Sequence, residues 1–337
     1  MTLPPFIVRL YDPTDFGAAL AAMQASATTD DIPRLTAADF QSRMSQTNAE
    51  HELDAADDAW VAVAPGSGVV AYADGWLAGK GADCAYRTDC WVQPGFRQRG
   101  IGRALLTRQW ARAKYIAAVL SRRSGAETTI RLRARAMAGQ AGARALFSAS
   151  KLEPVREFLE MRRDLAARLP VAEPPPDVAV RWWSERRGDQ AIWAAMNKAF
   201  SEHWGHTDQT YEFFSRQIDL RRIQPENSTI AWSGDSVAGG SLNEFGATSE
   251  ERLGPGRGWV HIVFVLKPWR GQGLGRALLR ASLLRARELG HTSVSLNVDA
   301  GNATGAVSLY TGLGFETSMQ RTVFERAHTA QPRANWS

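Results

Sequence analysis

Residues 263–279 read VFVLKPWRGQGLGRALL, and this stretch decides the reading of the chain. The apolar, β-branched residues Val260, Ile262, Val263 and Val265 suit a strand buried on both faces. Pro268 ends that run, because proline cannot donate to a ladder. Arg270, Gly271, Gln272, Gly273, Leu274 and Gly275 follow, and then a helical pattern with Leu274, Leu278, Ala281 and Leu284 on one face. A strand, a glycine-rich turn and a helix N-terminus form a cradle for phosphate. Main-chain N–H groups converge there, the helix dipole favours negative charge, and glycine lets a ligand approach the backbone. Neither Gly-Lys-Ser/Thr nor G-x-G-x-x-G is present, so the turn is not a P-loop or a dinucleotide fingerprint.

A second copy lies at 90–106, CWVQPGFRQRGIGRALL. Arg97, Gly100 and Gly102 repeat Arg270, Gly273 and Gly275 at an offset of 173 residues. Pro94 matches Pro268, and Gly-Arg-Ala-Leu-Leu follows both turns. The chain is therefore a tandem duplication. Its 337 residues fit two domains of ordinary size.

Both turns resemble motif A of the GNAT acyltransferase superfamily, R/Q-x-x-G-x-G/A. The resemblance implies that Arg270, Gln272, Gly273, Leu274, Gly275 and Arg276 hold the pyrophosphate of acetyl-CoA, with Arg97, Gly100 and Gly102 as first-half counterparts. The main chain near Val263 and Val265 is then expected to pair with pantetheine and polarise the thioester carbonyl. In the second half, SVSLNVDAGNATGAVSLYTGLGFE resembles a further GNAT signature, supplied by Asn302, Ala306, Leu309, Tyr310, Gly314 and Phe315. It implies that Asn302 contacts the pantetheine arm. It also implies that Tyr310 protonates the departing thiolate, a task a phenol can perform. The first half has Phe147 where Tyr310 stands and Lys151-Leu152 where Gly314-Phe315 stand. Phenylalanine cannot donate a proton, so the first half is expected to bind or scaffold without catalysing.

An active half and a silent half resemble the mycothiol synthase type of tandem GNAT. The implied fold is two tandem domains of α/β class, each a mostly antiparallel twisted sheet with helices on both faces. The expected boundaries are 1–169, a proline-rich linker at 170–177, and 178–328. Four prolines in Leu169–Asp177 favour an extended spacer. Each half reads β-α-α-β-β-β-α-β-α-β, with Thr248–Gly258 as a glycine-rich loop and pattern lost after Val323.

An amine nucleophile, with a pKa near ~10, must lose a proton during attack. His261 on the motif strand and Glu244 on the preceding strand are the candidates, Glu244 acting through water; a surface histidine and a solvated carboxylate are the plainer alternatives. His203, Trp204 and His206 between the first two helices, together with Trp259, are expected to line the acceptor mouth. A third ligand with readable spacing to His203 and His206 is missing, so no metal is expected.

The two cysteines, Cys84 and Cys90, give no disulfide framework and read as reduced, largely buried thiols. They lie outside the second half, which disfavours a covalent cysteine intermediate there. No apolar window spans a bilayer and the N-terminus lacks a signal-peptide pattern, so the expected location is the cytoplasm. The net charge of +5 comes from arginines spread along the chain, which fits an anionic cofactor better than nucleic acid. The expected activity is transfer of acetyl from acetyl-CoA to a primary amine of a small polar acceptor by direct attack. Acetylation of a protein N-terminus or lysine, and a non-catalytic CoA-binding module, are the alternatives; a homodimer stays open.

Overall fold

The computed structural model describes residues 6–30, 32, 35–44, 55–79, 83–206, 208–302 and 305–332. The chain forms two compact units. Unit 1 comprises Met1–Arg156 and Arg321–Ser337, and unit 2 comprises Glu157–Gln320.

Unit 1 runs β1 (Ile7–Leu10), α1 (Phe16–Thr29), α2 (Ala37–Met44), β2 (Ala59–Ala64), β3 (Gly68–Ala78), β4 (Asp83–Val92), α3 (Ile101–Ser124), β5 (Thr128–Met137) and α4 (Ala141–Ala149). The start of α2 is a capping box: Thr36 N–H and Oγ1 both reach the Asp39 carboxylate, and Asp39 N–H donates to Thr36 Oγ1 at 3.2 Å. The expected extension of this helix to Gln46 falls outside the described residues. Strands β1 to β4 pair antiparallel in order, and β4 pairs parallel with β5 only from Asp83 to Arg87. Beyond Arg87 the two strands part.

Unit 2 repeats the plan with β7 (Ala179–Trp182), α5 (Asp189–Phe200), α6 (Tyr211–Asp219), β8 (Thr229–Ser233), β9 (Ser236–Glu244), β10 (Arg257–Val265), α8 (Leu274–Glu288), β11 (Ser293–Asp299) and α9 (Ala306–Gly312). One extra helix, α7 (Ala247–Leu253), occupies the stretch expected to be a flexible loop. Strand β10 pairs parallel with β11 only from Arg257 to Val260, then diverges. On one face of this sheet α8 and α9 cover Val260, Val294, Leu296 and Val298; on the other, α5 and α6 cover Ile230, Leu242 and Phe264.

Each sheet is completed by a strand from the other sequence repeat. Strand β6 (Glu153–Asp164) enters unit 2 from Glu157 and pairs antiparallel with β11. Strand β12 (Glu316–Ala330) enters unit 1 from Arg321 and pairs antiparallel with β5. The compact units therefore cut the chain near 156 and 320, not at the repeat boundary near 170–177. The residues after Val323, read from sequence as patternless, continue as strand through Ala330, with Phe324 and Ala330 in the unit 1 core. Their alternation is masked because Glu325 and Arg326 face ion-pair and carbonyl partners in place of water.

Candidate active site

The glycine turn of unit 2 starts from two left-handed residues, Gly271 (φ 76°) and Gly273 (φ 83°). Gly273 is the N-cap of α8, and the first intrahelical bond runs from Ala277 N–H to Gly273 O. The N–H groups of Leu274, Gly275 and Arg276 precede that bond and have no intrahelical acceptor. A Cβ on Gly271 would meet nothing within 4 Å, and one on Gly273 only the Glu173 carbonyl at 3.8 Å. An open cradle of donors at a positive helix end fits a pyrophosphate. Arg270 braces the turn from behind, donating to Val265 O at 2.9 Å and Ala199 O at 3.1 Å. Gln272 Nε2 donates to Pro268 O at 2.8 Å. Gly275 lets α8 press against Leu309 of α9, where an added Cβ would stand 3.3 Å from Leu309 Cδ2.

That contact fixes Tyr310. The side chain is 7% exposed, and among the described residues its hydroxyl has no hydrogen-bond partner. The ring is buried, but the hydroxyl oxygen is not sealed in the core, so it is open to a ligand atom. Burial pushes the phenol up to about 12, so it keeps its proton at neutral pH. Asn302 lies beyond the end of β11, its N–H on Asp299 O at 3.1 Å.

The base candidates meet. In β10, Val260 pairs with Asn243 and Ile262 with Leu242, leaving His261 as the extra residue of a β-bulge. The bulge turns His261 to the face carrying Trp259 and Glu244. His261 Nε2 lies 2.8 Å from Glu244 Oε2. Glu244 is fully buried, and its other contacts are Arg222 at 3.1 Å and Arg252 at 2.5 Å. Burial alone would raise this carboxyl; the His261 hydrogen bond and the two guanidinium charges hold it down to about 2. Glu244 is thus a buried, ionised anchor and not the solvated residue that sequence allowed. An ionised carboxylate only accepts, so Nε2 carries the proton and Nδ1 keeps its lone pair. Burial lowers the His261 pKa, opposed by Glu244, which keeps the ring neutral at pH 7.

The acceptor-mouth residues divide. Trp259 is only 6% exposed, packed under Arg252 with His261 beside it, so it walls the dyad more than it faces solvent. Trp204 reaches Phe158, ring centroids 6.4 Å apart, and Phe158 is the register partner of Asp299. His203 packs edge-on against Phe200, and its pKa is lowered by burial and by Arg270. His206 Nε2 bonds Asp208 at 2.9 Å. The segment 201–206 therefore runs past the opening between β10 and β11. Among the described residues no three His, Cys, Asp or Glu side chains could hold a metal ion, and no helix is long and apolar enough to cross a membrane.

Unit 1 keeps the turn and lacks the dyad. Gly100 (φ 86°) caps α3 as Gly273 caps α8, and Gln98 adopts φ 60° where Gly271 stands. A Cβ on Gly102 would lie 3.3 Å from Leu146, so Leu146-Phe147 occupies the place of Leu309-Tyr310. Lys151 takes φ 61° where Gly314 takes 81°. Strands β3 and β4 pair without a bulge, so His261 has no counterpart. Cys84 is buried, and burial pushes its thiol up to about 11. Cys90, expected to be buried, is exposed.

The sequence profile of the acetyltransferase (GNAT) family matches residues 23–138 and 189–315. The chain belongs to that family. This GNAT protein is 31% identical to a mycothiol acetyltransferase of Geodermatophilus obscurus over 309 residues, 90% of this chain and 92% of that one. It is 34% identical to a mycothiol acetyltransferase of Acidothermus cellulolyticus over 254 residues, 71% of each chain. A GCN5-related N-acetyltransferase from Sphaerobacter thermophilus superposes over 99% of both chains with a TM-score of 0.70 at 25% identity. A tandem GNAT protein from the clavulanic acid biosynthesis pathway shares the fold, with a TM-score of 0.65 at 19% identity. The protein is an N-acetyltransferase, and GNAT acetyltransferases use acetyl-CoA.

Sequence reasoning missed Arg222 and Arg252, the cations that keep Glu244 ionised. It also missed the bulge. One signal was available: Ile262 and Val263 follow His261 as two apolar residues, breaking the alternation that β10 otherwise keeps.

Proposed function

We propose that unit 2 transfers acetyl from acetyl-CoA to a primary amine of a small polar acceptor by direct attack, while unit 1 keeps a cofactor turn without the chemistry. The observation that carries this reading is Tyr310 in unit 2 against Phe147 in unit 1, each fixed by the same leucine–glycine contact. The names of the mycothiol acetyltransferase relatives support an acceptor related to mycothiol.

In this mechanism the main-chain N–H groups at Gly273–Arg276 bind the pyrophosphate. From Ile262 to Val265, β10 has a β-neighbour on one side only, leaving its other edge for pantetheine, with Asn302 beside it. Acetyl-CoA supplies the activated acyl group and the leaving thiolate. His261 Nδ1 takes the proton of the attacking amine, Glu244 holds the imidazole in the tautomer that makes this possible, and Tyr310 Oη gives its proton to the leaving sulfur. Holding both substrates in one cleft supplies much of the remaining rate.

The test is CoA release with D-glucosamine as first acceptor, comparing wild type with Tyr310→Phe. General acid catalysis contributes roughly 10²–10⁴ in rate, so kcat should fall by about 100-fold with acetyl-CoA affinity retained. Turnover of Tyr310→Phe at the wild-type rate would remove the phenol from the mechanism.

A further inference from the structure

Strand β6 comes from the first sequence repeat yet lies in unit 2, and it brings Glu160 to the acceptor side of the cleft. Glu160 pairs with Asn297, one residue beyond the last parallel pair of β10 and β11, Val260–Leu296. Strand alternation places Ser295, Asn297 and Asp299 on the face of Trp259, and Phe158, Glu160 and Arg162 on that same face of β6. Asn297, on the strand next to that of His261, and Glu160, one strand further, thus stand across the splayed opening from His261, Glu160 at about two strand spacings, roughly 10 Å.

The Glu160 side chain is 10% exposed, yet its carboxylate is poorly paired. Arg257 and Arg162 stand 3.8 and 3.9 Å from Oε1, outside hydrogen-bond range. Ser318 Oγ lies 3.4 Å from Oε1 and also donates to the Glu160 carbonyl at 3.2 Å. A largely buried carboxylate is normally fully hydrogen-bonded. Here it keeps acceptor capacity for another molecule, beside the exposed amide of Asn297.

Unit 1 shows that the fold does not require this pair. Two residues past its last parallel pair, Arg87–Arg133, stands Arg135, the place of Asn297. The Arg135 guanidinium bridges the opening to Asp89, with Nε 3.1 Å from the carboxylate. Its register partner on β12 is Val323, 6% exposed, in the place of Glu160. One unit has an ion pair and a valine where the other has an open amide and a carboxylate.

We propose that Glu160 and Asn297 form the recognition floor for the acceptor, taking hydrogen bonds from hydroxyl groups carried within about 10 Å of the reacting amine, two strand spacings away. The acceptor is then a hydroxylated amine, and part of its specificity comes from a strand encoded in the other repeat. This rests on unit 2 being the acetyl-transferring unit.

The experiment compares KM and kcat for D-glucosamine and cyclohexylamine in wild type, Glu160→Val and Glu160→Gln, with acetyl-CoA affinity measured by calorimetry. Hydrogen bonds to a charged group are worth roughly 10- to 100-fold. Glu160→Val should raise KM for glucosamine by at least about tenfold on that basis, leave kcat within about twofold, and leave cyclohexylamine and acetyl-CoA binding unchanged. Glu160→Gln should recover part of the loss. Equal effects on both amines, or none on either, would overturn the role of Glu160 while leaving unit 2 as the active unit. A wild type that turns over neither amine overturns the acceptor class itself. Glucosamine turnover that survives Gly273→Glu but not Gly100→Glu overturns the reading of unit 2.

Discussion

The same place between two diverging strands is built twice in this chain, once closed and once open. In unit 1, Arg43 from α2 sits in the cleft with its guanidinium 2.7 Å from Asp74 and 2.9 Å from Asp89, over the rings of Trp76 and Trp91. Arg135 adds a second cation to Asp89, and Gln140 at the start of α4 donates to Asp30 at the end of α1 at 2.8 Å. In unit 2 the corresponding helix is followed by Arg222, which reaches a carboxylate one register step deeper, Glu244. That carboxylate accepts a hydrogen bond from His261, whose side chain is 26% exposed. The difference teaches which features two copies of one fold keep and which they do not share. The glycine turn is retained in unit 1, while the bulge residue, the phenol and the loosely paired carboxylate are absent.

The largest expected effect comes from removing the bulge residue's ring. His261→Ala should lower kcat/KM by roughly 10²–10⁴, the worth of a general base. The wild-type profile should lose activity as pH falls through a His261 pKa that lies below the ordinary histidine value, because only the neutral ring accepts a proton. Glu244, Arg252, Arg222 and Trp259 are the groups facing that ring. Glu244→Gln removes the interaction that opposes the downward shift, so its acidic limb should move to lower pH while kcat falls. An unchanged acidic limb in both variants would remove the dyad from catalysis.

Arg43→Ala asks whether the closed cleft is only scaffold. It leaves Asp74 and Asp89 buried with less compensation, and breaking a buried ion pair costs about 3–5 kcal/mol. Thermal unfolding should shift down clearly, while kcat per folded molecule changes little. A large loss of kcat with unchanged stability would mean that the unit 1 cleft takes part in turnover.

The sequence made some of this legible, and for physical reasons. A glycine turn leaves a mark because only certain residues tolerate its backbone, as the φ of 83° and 86° at Gly273 and Gly100 show. Phe147 against Tyr310 was readable because the same short helix frames both. Even so, Lys151 holds a left-handed backbone where glycine was expected, so the turn survived the loss of its usual residue. The bulge was hidden, since a one-residue insertion inside a strand looks like ordinary hydrophobic sequence. The exchanged strands were hidden too, because pairing between residues 129 to 202 positions apart leaves no local periodicity. Hence Glu160 read as part of the silent half, and β12 as a tail. Arg222 and Arg252 were two arginines among many until the fold put both on one carboxylate.

The division of labour between the units is tested most directly by two matched substitutions, Gly100→Glu and Gly273→Glu. Each places a charged side chain at a left-handed N-cap in front of a helix end suited to phosphate. Acetyl-CoA binding by calorimetry and CoA release with an amine acceptor are measured on both. The account predicts that Gly273→Glu abolishes turnover and that Gly100→Glu leaves it nearly intact. Turnover lost in Gly100→Glu and kept in Gly273→Glu would place the chemistry in the other unit and contradict the account.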